Sequence, residues 1–223
     1  MSSATVGRLA RLFPAGVVLS VSTLEGWVGA LYPEEEARVR HAAPKRRREF
    51  TAGRVGARQA LARLGVSPQP LPADVERRVI WPAGIVGSIS HCDDLCAVAV
   101  ARSETVASLG LDVERAEPLD ANLVSLICSA SERTHLDSLP AGAPWSKLVF
   151  AAKESVYKCL SPLVQTFLEF HHVTIDFDPD AGSFSAELLH PSADRLGGTE
   201  LRGRFVVDAA HLYCGIALPP AEH

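Results

Sequence analysis

Hydrophobic and polar positions along this chain follow two rhythms, one suited to helices and one to strands. An apolar run over residues 17–22 predicts a buried strand. Pro33 followed by Glu34, Glu35 and Glu36 predicts a helix start, because proline suits the first turn and acids suit its dipole. Pro44 opens a longer helix through Lys45, Arg46, Arg47 and Arg48 to about Leu64, with Gly65 placed as a C-terminal cap. Residues 68–72 are a proline-rich loop, and Trp81-Pro82-Ala83-Gly84 is a turn. A period of two follows: Val86, Ser88 and Ser90 fall on one side of a strand, Ile89 and His91 on the other. Asp93-Asp94 turns the chain, residues 96–101 predict a buried strand, and residues 105–113 predict the next.

Residues 119–128 and 131–136 read as helical, and 145–160 carry the strongest helical pattern. There Trp145, Leu148, Val149, Ala152, Val156, Cys159 and Leu160 share one side. Lys147, Ala151, Glu154 and Lys158 share the other, facing a cleft or solvent. From Val173 onward the pattern gives short strands, with turns at Asp178-Pro179-Asp180 and Gly197-Gly198. Residues 88–99 and 204–217 echo each other, each a strand, an acidic turn and an apolar strand containing Leu and Cys. This suggests a duplicated lobe, although any two β-hairpins share such an outline.

Composition narrows the class. The chain has 223 residues, 47% of them hydrophobic and 22% charged, enough for one larger domain or two small lobes sharing a core. A formal net charge of −4 argues against general nucleic-acid binding, which favours a basic surface. Arg8 and Arg11 before the apolar stretch faintly imitate a signal peptide, but Pro14 and Gly16 interrupt it and no A-x-A site follows. No apolar run approaches the ~18 residues that cross a membrane. The five cysteines show no C-x-x-C pair, so free thiols in a reducing cytoplasm are expected.

Chemistry concentrates in a few places. Asp112 and Glu114 stand at i, i+2 on one face of a strand end, and Glu154 and Lys158 stand at i, i+4 on a helix. Apart, they read as a solvated strand end and a surface ion pair. Together, three carboxylates beside a lysine suit a hard divalent cation that handles phosphate. Arg46, Arg54 and Arg58 lie on a cationic helix, where Gly53 and Gly56 leave room for close approach of a chain or an anion. No G-x-S-x-G surrounds Ser88 or Ser90, and His171-His172 lacks a third ligand at metal spacing.

In order along the chain stand Lys45-Arg46-Arg47-Arg48-Glu49-Phe50-x-x-Gly53-Arg54, Trp81-Pro82, Gly87-Ser88-Ile89-Ser90-His91, Gly110-x-Asp112-x-Glu114 and Phe150-x-x-Lys153-Glu154-Ser155-x-Tyr157-Lys158. This set, spanning about residues 44–160, resembles the 4′-phosphopantetheinyl transferase superfamily, in its longer two-lobed branch serving polyketide, nonribosomal peptide and fatty-acid systems. The resemblance implies an α/β (α+β) fold of two similar lobes related by a pseudo-twofold, each a small antiparallel-rich sheet packed with helices. The lobes would be residues 1–104 and 105–223. It implies transfer of 4′-phosphopantetheine from coenzyme A to a serine of an apo acyl or peptidyl carrier protein, releasing adenosine 3′,5′-bisphosphate. Asp112, Glu114 and Glu154 would hold Mg²⁺, with Mn²⁺ an alternative. Glu154 would activate the serine and Lys158 would stabilise pyrophosphate charge. Arg46, Arg54, Ser90 and His91 would grip coenzyme A phosphates, assisted by Lys153. A cytoplasmic monomer without nucleic-acid or membrane partners is expected. Relatives often carry lysines ahead of the Trp-Pro turn; here Ala73-Asp74-Val75-Glu76 stands there, with Arg77 and Arg78 as substitutes. A Mg²⁺-dependent phosphohydrolase or nuclease and a non-catalytic coenzyme A-binding module are the other readings.

Overall fold

A computed structural model describes residues 3–25, 29–164, 168–191 and 200–220; the expected turn at Gly197-Gly198 lies outside the described residues. The first half runs α1 (Ser3–Ala10), β1 (Val18–Thr23), α2 (Pro33–Val39), α3 (Pro44–Arg63), β2 (Ile85–His91) and β3 (Leu95–Arg102). Its strands form an antiparallel sheet in the order β1-β3-β2. The expected helix starts hold, with Pro33 and Pro44 each at the first helical position. Gly65 follows α3 at φ 77°, the left-handed conformation that ends helices and that glycine adopts without a steric penalty.

The second half runs β4 (Ser108–Arg115), α4 (Ala121–Ile127), α5 (Ala130–Leu136) and α6 (Trp145–Val164), then a single 3₁₀ turn at Phe170–His172. It finishes with β5 (Val173–Asp178), β6 (Ser183–Leu188), β7 (Glu200–Val207) and β8 (His211–Leu218). These strands form a second antiparallel sheet in the order β4-β8-β7-β6-β5. Both halves share one plan: a first strand, a long helix, then a hairpin whose second strand pairs with the first strand. The echo in the sequence is the hairpin β2–β3 against the hairpin β7–β8. The architecture is a two-lobed α+β fold, and β5–β6 widen only the second sheet.

The lobes meet along two sheet edges, β2 and β4. Their backbones do not pair directly; serine hydroxyls stand between them. Leu111 N–H donates to Ser88 Oγ at 3.1 Å and Val113 N–H to Ser90 Oγ at 3.2 Å, so edge groups that would otherwise be unpaired are satisfied. A shared core of Leu9, Leu12, Ala97, Ala99, Leu109, Leu111, Val113 and Tyr213 draws on both lobes.

One expectation about α6 fails. Ala151, assigned to the open side, is fully buried, and Lys153 and Ser155 are buried as well. The helix is covered by the sheet on one side and by α4 and α5 on another, so a one-sided apolar stripe understates its burial. Gly110 fixes the approach of α6 to β4. A Cβ there would stand 1.8 Å from the Ser155 carbonyl oxygen, so only glycine lets the helix settle this close to the acidic strand. Gly53 and Gly56 face the sheet, against Ile89 and Val98, and so seat α3; Gly53 also lines the cleft between α3, β2 and α6.

Candidate active site

Alternation along β4 turns Asp112 and Glu114 toward α6, where Lys147, Glu154 and Lys158 project. Lys158 Nζ donates to Asp112 Oδ1 at 2.5 Å, to Ser90 Oγ at 3.1 Å and to the Leu111 carbonyl at 3.3 Å. Glu114 pairs instead with Lys147, at 2.9 Å, and that ammonium also sits over the Phe150 ring. Glu154 has no such partner to offset its burial, which pushes its carboxyl above the usual range; the charges of Asp112 and Glu114 push the same way, against Lys158. Burial likewise raises Glu114, and Lys147 opposes it. The three carboxylates thus lie in one another's field, but two are drawn onto lysines. Among the described residues, their oxygens do not form a group within 4.8 Å of one another.

One observation bears on a metal. Asp112 Oδ2 is buried and has no hydrogen-bond partner. A desolvated carboxylate oxygen without a donor is costly, and a hard cation would satisfy it. The donor set, carboxylates only, fits Mg²⁺ or Mn²⁺ rather than a thiolate-seeking metal.

Ser90 and Lys153 need reassigning. The Ser90 hydroxyl donates to Asp112 Oδ1 at 2.8 Å and accepts from both Lys158 Nζ and Val113 N–H, which spends its one donor and two lone pairs. It is buried behind the acidic strand and orients Asp112 rather than gripping a phosphate. Lys153 lies in the core: its ammonium donates to the carbonyls of Ile127 and Phe170 at 2.8 Å and to Glu132 Oε2 at 2.9 Å. With three donors committed and a side chain only 2% exposed, it has nothing left for coenzyme A.

The remaining cations gather in a cleft of about 440 Å³ between α3, β2, the 74–81 segment and α6. Arg46, Arg54, Arg77, Arg78 and Lys158 line it against two carboxylates, Glu49 and Asp74, so this acidic chain carries a locally basic cleft. Arg46 Nη1 stands 3.2 Å from His91 Nε2; since guanidinium only donates, Nε2 is the acceptor and the ring is neutral. Burial lowers the His91 pKa further, with Glu49 opposing. Arg54 is mostly buried, donates from Nε to the Leu71 carbonyl at 2.8 Å and stacks over Phe50; burial lowers its pKa to about 10. Arg78 is tied to Asp74 at 2.7 Å and to Ser161 Oγ at 3.2 Å, whereas Arg77 lies exposed on the rim with a strained φ of 67°.

Sequence reasoning missed Glu49 and the role of Tyr157. Tyr157 walls both the basic cleft and a second, largely apolar cavity of about 400 Å³ that Glu154, Leu126 and Phe170 line. Helical spacing put Lys147 on the face of Glu154, seven residues before it, but its pairing with Glu114 on another element is not written in that spacing.

Comparison with known proteins agrees with this geometry. Residues 34–101 match the 4′-phosphopantetheinyl transferase N-terminal domain, and residues 108–206 match the 4′-phosphopantetheinyl transferase superfamily domain. The chain is 44% identical over 179 residues to 4′-phosphopantetheinyl transferase Svp of Streptomyces mobaraensis, an alignment covering 79% of this chain and 72% of that one. It is 34% identical over 193 residues to 4′-phosphopantetheinyl transferase PptT of Mycobacterium tuberculosis, covering 83% and 85%. It is also 34% identical over 196 residues to 4′-phosphopantetheinyl transferase Npt of Nocardia iowensis, covering 83% and 88%. With the ordered motifs gathered around one basic cleft and one acidic strand end, the chain belongs to the 4′-phosphopantetheinyl transferase superfamily.

Proposed function

We propose that this protein transfers the 4′-phosphopantetheine arm of coenzyme A to a serine hydroxyl of an apo acyl or peptidyl carrier protein. The observation that carries the reading is the junction at α6. Lys158 closes the basic cleft on one side of Tyr157, and Glu154 faces the apolar cavity on the other. The charged nucleotide end fits the first, and the uncharged pantetheine arm and acceptor fit the second.

In this reading Arg46, Arg54, Arg77 and His91 bind the phosphates of coenzyme A. Glu154, whose burial raises its basicity, takes the serine proton as the oxygen attacks the pantetheine-side phosphorus. The new O–P bond forms as the bond to the nucleotide phosphate breaks, and adenosine 3′,5′-bisphosphate departs with charge that Lys158 stabilises. Asp112, Glu114 and Glu154 would hold Mg²⁺ or Mn²⁺, which when bound neutralises pyrophosphate charge. Ser90 keeps Asp112 oriented, and Lys147 orders Glu114. The first lobe (1–104) supplies phosphate-binding groups and the second (105–223) the acids and Lys158. A reducing, cytoplasmic setting accords with the five cysteines, all free and buried, and the monomer stays part of the proposal. No described helix is long and apolar enough to cross a membrane.

The test is direct. The protein is incubated with coenzyme A, Mg²⁺ and several classes of apo carrier protein, and each carrier is then weighed by mass spectrometry. Gain of one phosphopantetheine arm is the expected result. Hydrolysis of coenzyme A without carrier modification points to a phosphohydrolase, binding without turnover points to a coenzyme A-binding module, and either overturns the proposal.

A further inference from the structure

Two of the three carboxylates at the candidate active site are drawn apart onto separate lysines, yet a second set of metal-binding atoms among the described residues does converge. Cys92, Asp94 and His211 each offer a ligand atom, all within 4.8 Å of one another. Cys92 and Asp94 come from the β2–β3 hairpin of the first lobe, and His211 from the start of β8 in the second. Cys92 follows His91 directly, so alternation sends it away from the basic cleft.

The geometry has the form of a metal site holding protons. Asp94 Oδ1 receives the Cys92 thiol at 3.4 Å and lies 2.9 Å from His211 Nε2. Its other oxygen is held by Arg115 at 2.6 Å, which fixes the carboxylate plane with Oδ1 turned to the cluster, as an outer partner orients a metal ligand. Sulfur, nitrogen and oxygen donors bind tetrahedral Zn²⁺ at about 2.3, 2.0–2.1 and 2.0–2.2 Å. Those lengths give ligand-to-ligand edges of about 3.3–3.7 Å, so the sulfur–oxygen pair already fits and the nitrogen–oxygen pair opens by a few tenths of an ångström. A cavity of about 340 Å³, lined by Asp94 and His211 with Thr5, Arg8, Asp208 and Tyr213, gives access to the cluster, with Cys92 buried behind it.

We propose that Cys92, Asp94 and His211 form a transition-metal site for Zn²⁺, distinct from the carboxylate site, that ties the two lobes together. Thiolate and imidazole select a borderline-soft ion over Mg²⁺. Binding forms S–Zn, N–Zn and O–Zn bonds; the Cys92 proton leaves to solvent, and the His211 Nε2–H proton shared with Asp94 leaves that nitrogen, the neutral ring taking one up on Nδ1 as its tautomer changes.

Co²⁺ serves as the optical probe. The full-length protein, freed of metal with a chelator, is titrated with Co²⁺ and followed in the near-ultraviolet and visible. A thiolate-to-cobalt band saturating at one equivalent is expected, lost in Cys92→Ser and requiring at least tenfold more Co²⁺ in His211→Gln. Zn²⁺ should displace the cobalt and raise the melting temperature of the parent protein but not of Cys92→Ser. Circular dichroism checks that both variants fold, and carrier modification with Mg²⁺ should persist in both, since neither residue lines the basic cleft. Absence of the band, or a band unchanged in both variants, overturns the proposal. If Cys92→Ser fails to fold, the His211→Gln titration decides alone.

Discussion

Two lysine–carboxylate pairs with buried carboxylates have their lysines five residues apart on α6, and they differ in how completely their atoms are matched. At Lys153 and Glu132 every polar atom is used. The ammonium has its three acceptors, and Glu132 accepts from Lys153 and Ser129 N–H on one oxygen and from Ile175 N–H on the other. At Lys158 and Asp112 the ammonium is matched, but Asp112 Oδ2 has no donor. A closed network fastens α4, α5, β5 and the 3₁₀ turn to the helix. An unfinished one keeps free-energy cost at a place where a ligand can relieve it. Burial alone therefore does not separate structural charges from functional ones; completeness of pairing does.

The largest test breaks the closed pair. Lys153→Met leaves Glu132 ionised in the core with no counter-charge, and such losses cost about 3–5 kcal/mol. A domain holds only about 5–15 kcal/mol in all, so the urea midpoint should fall sharply. A midpoint near that of the parent protein would show that Lys153 is not the fastening we describe and would reopen its role in binding.

The converse holds on the other side of the comparison. Glu154→Gln should lower the transfer rate by about 10²–10⁴-fold, the usual worth of a positioned base, while the fold stands. Asp112→Ala should abolish transfer with its circular dichroism spectrum intact. Turnover and spectra from the same preparations decide, and near-full activity in either variant would remove that residue from the site.

The same contrast explains what could be read from the chain beforehand. Asp112, Glu114, Glu154 and Lys158 were legible because period-two and i, i+4 spacing fix which side chains share a face. The helix starts at Pro33 and Pro44 and the paired hairpins were legible for similarly local reasons. Lys153 was misjudged because its motif neighbours face the cleft, whereas its partner, Glu132, lies on another helix and owes its position to the Ser129 capping box. Ser90 misled likewise: its side of the strand follows from alternation, but the use of all its hydrogen bonds between two sheet edges depends on tertiary contact. Spacing reports faces; it does not report what fills the space beyond them.

A smaller effect separates the cleft arginines. Arg46 is half exposed and makes only polar contacts with His91 and Glu49. Arg46→Ala should weaken coenzyme A binding about tenfold, or 1.4 kcal/mol, without changing stability. Arg54→Ala should weaken binding and also destabilise the fold by about 1.5–3 kcal/mol, because a buried charged hydrogen bond to Leu71 is lost. Calorimetry alongside chemical unfolding distinguishes them; equal stability losses would show that both arginines are structural.

The smallest effect is a slope. Burial raises the folded-state pKa of Glu154 and Glu114 above the unfolded carboxylate value of about 4.3. Between the unfolded and folded values the native state holds more protons, so the stability these groups contribute is full at acid pH and is lost as pH rises through the folded values. Asp74, Asp93, Asp94 and Asp208 shift the opposite way: their contribution is complete above the unfolded carboxylate value and is lost as pH falls below it, a more acid window than that of the two glutamates. The informative quantity is a difference. In metal-free buffer, Glu154→Gln should match or exceed the parent protein at pH 7, by about 0.5–2 kcal/mol, with the advantage shrinking toward pH 4 as the parent carboxyl takes up its proton. Adding Mg²⁺ should stabilise the parent more than the variant, because a cation bound to the native state finds one ligand fewer in the latter. A glutamine variant less stable than the parent at pH 7 without metal would mean that Glu154 is a satisfied residue like Glu132, and would erase the distinction between closed and unfinished pairing.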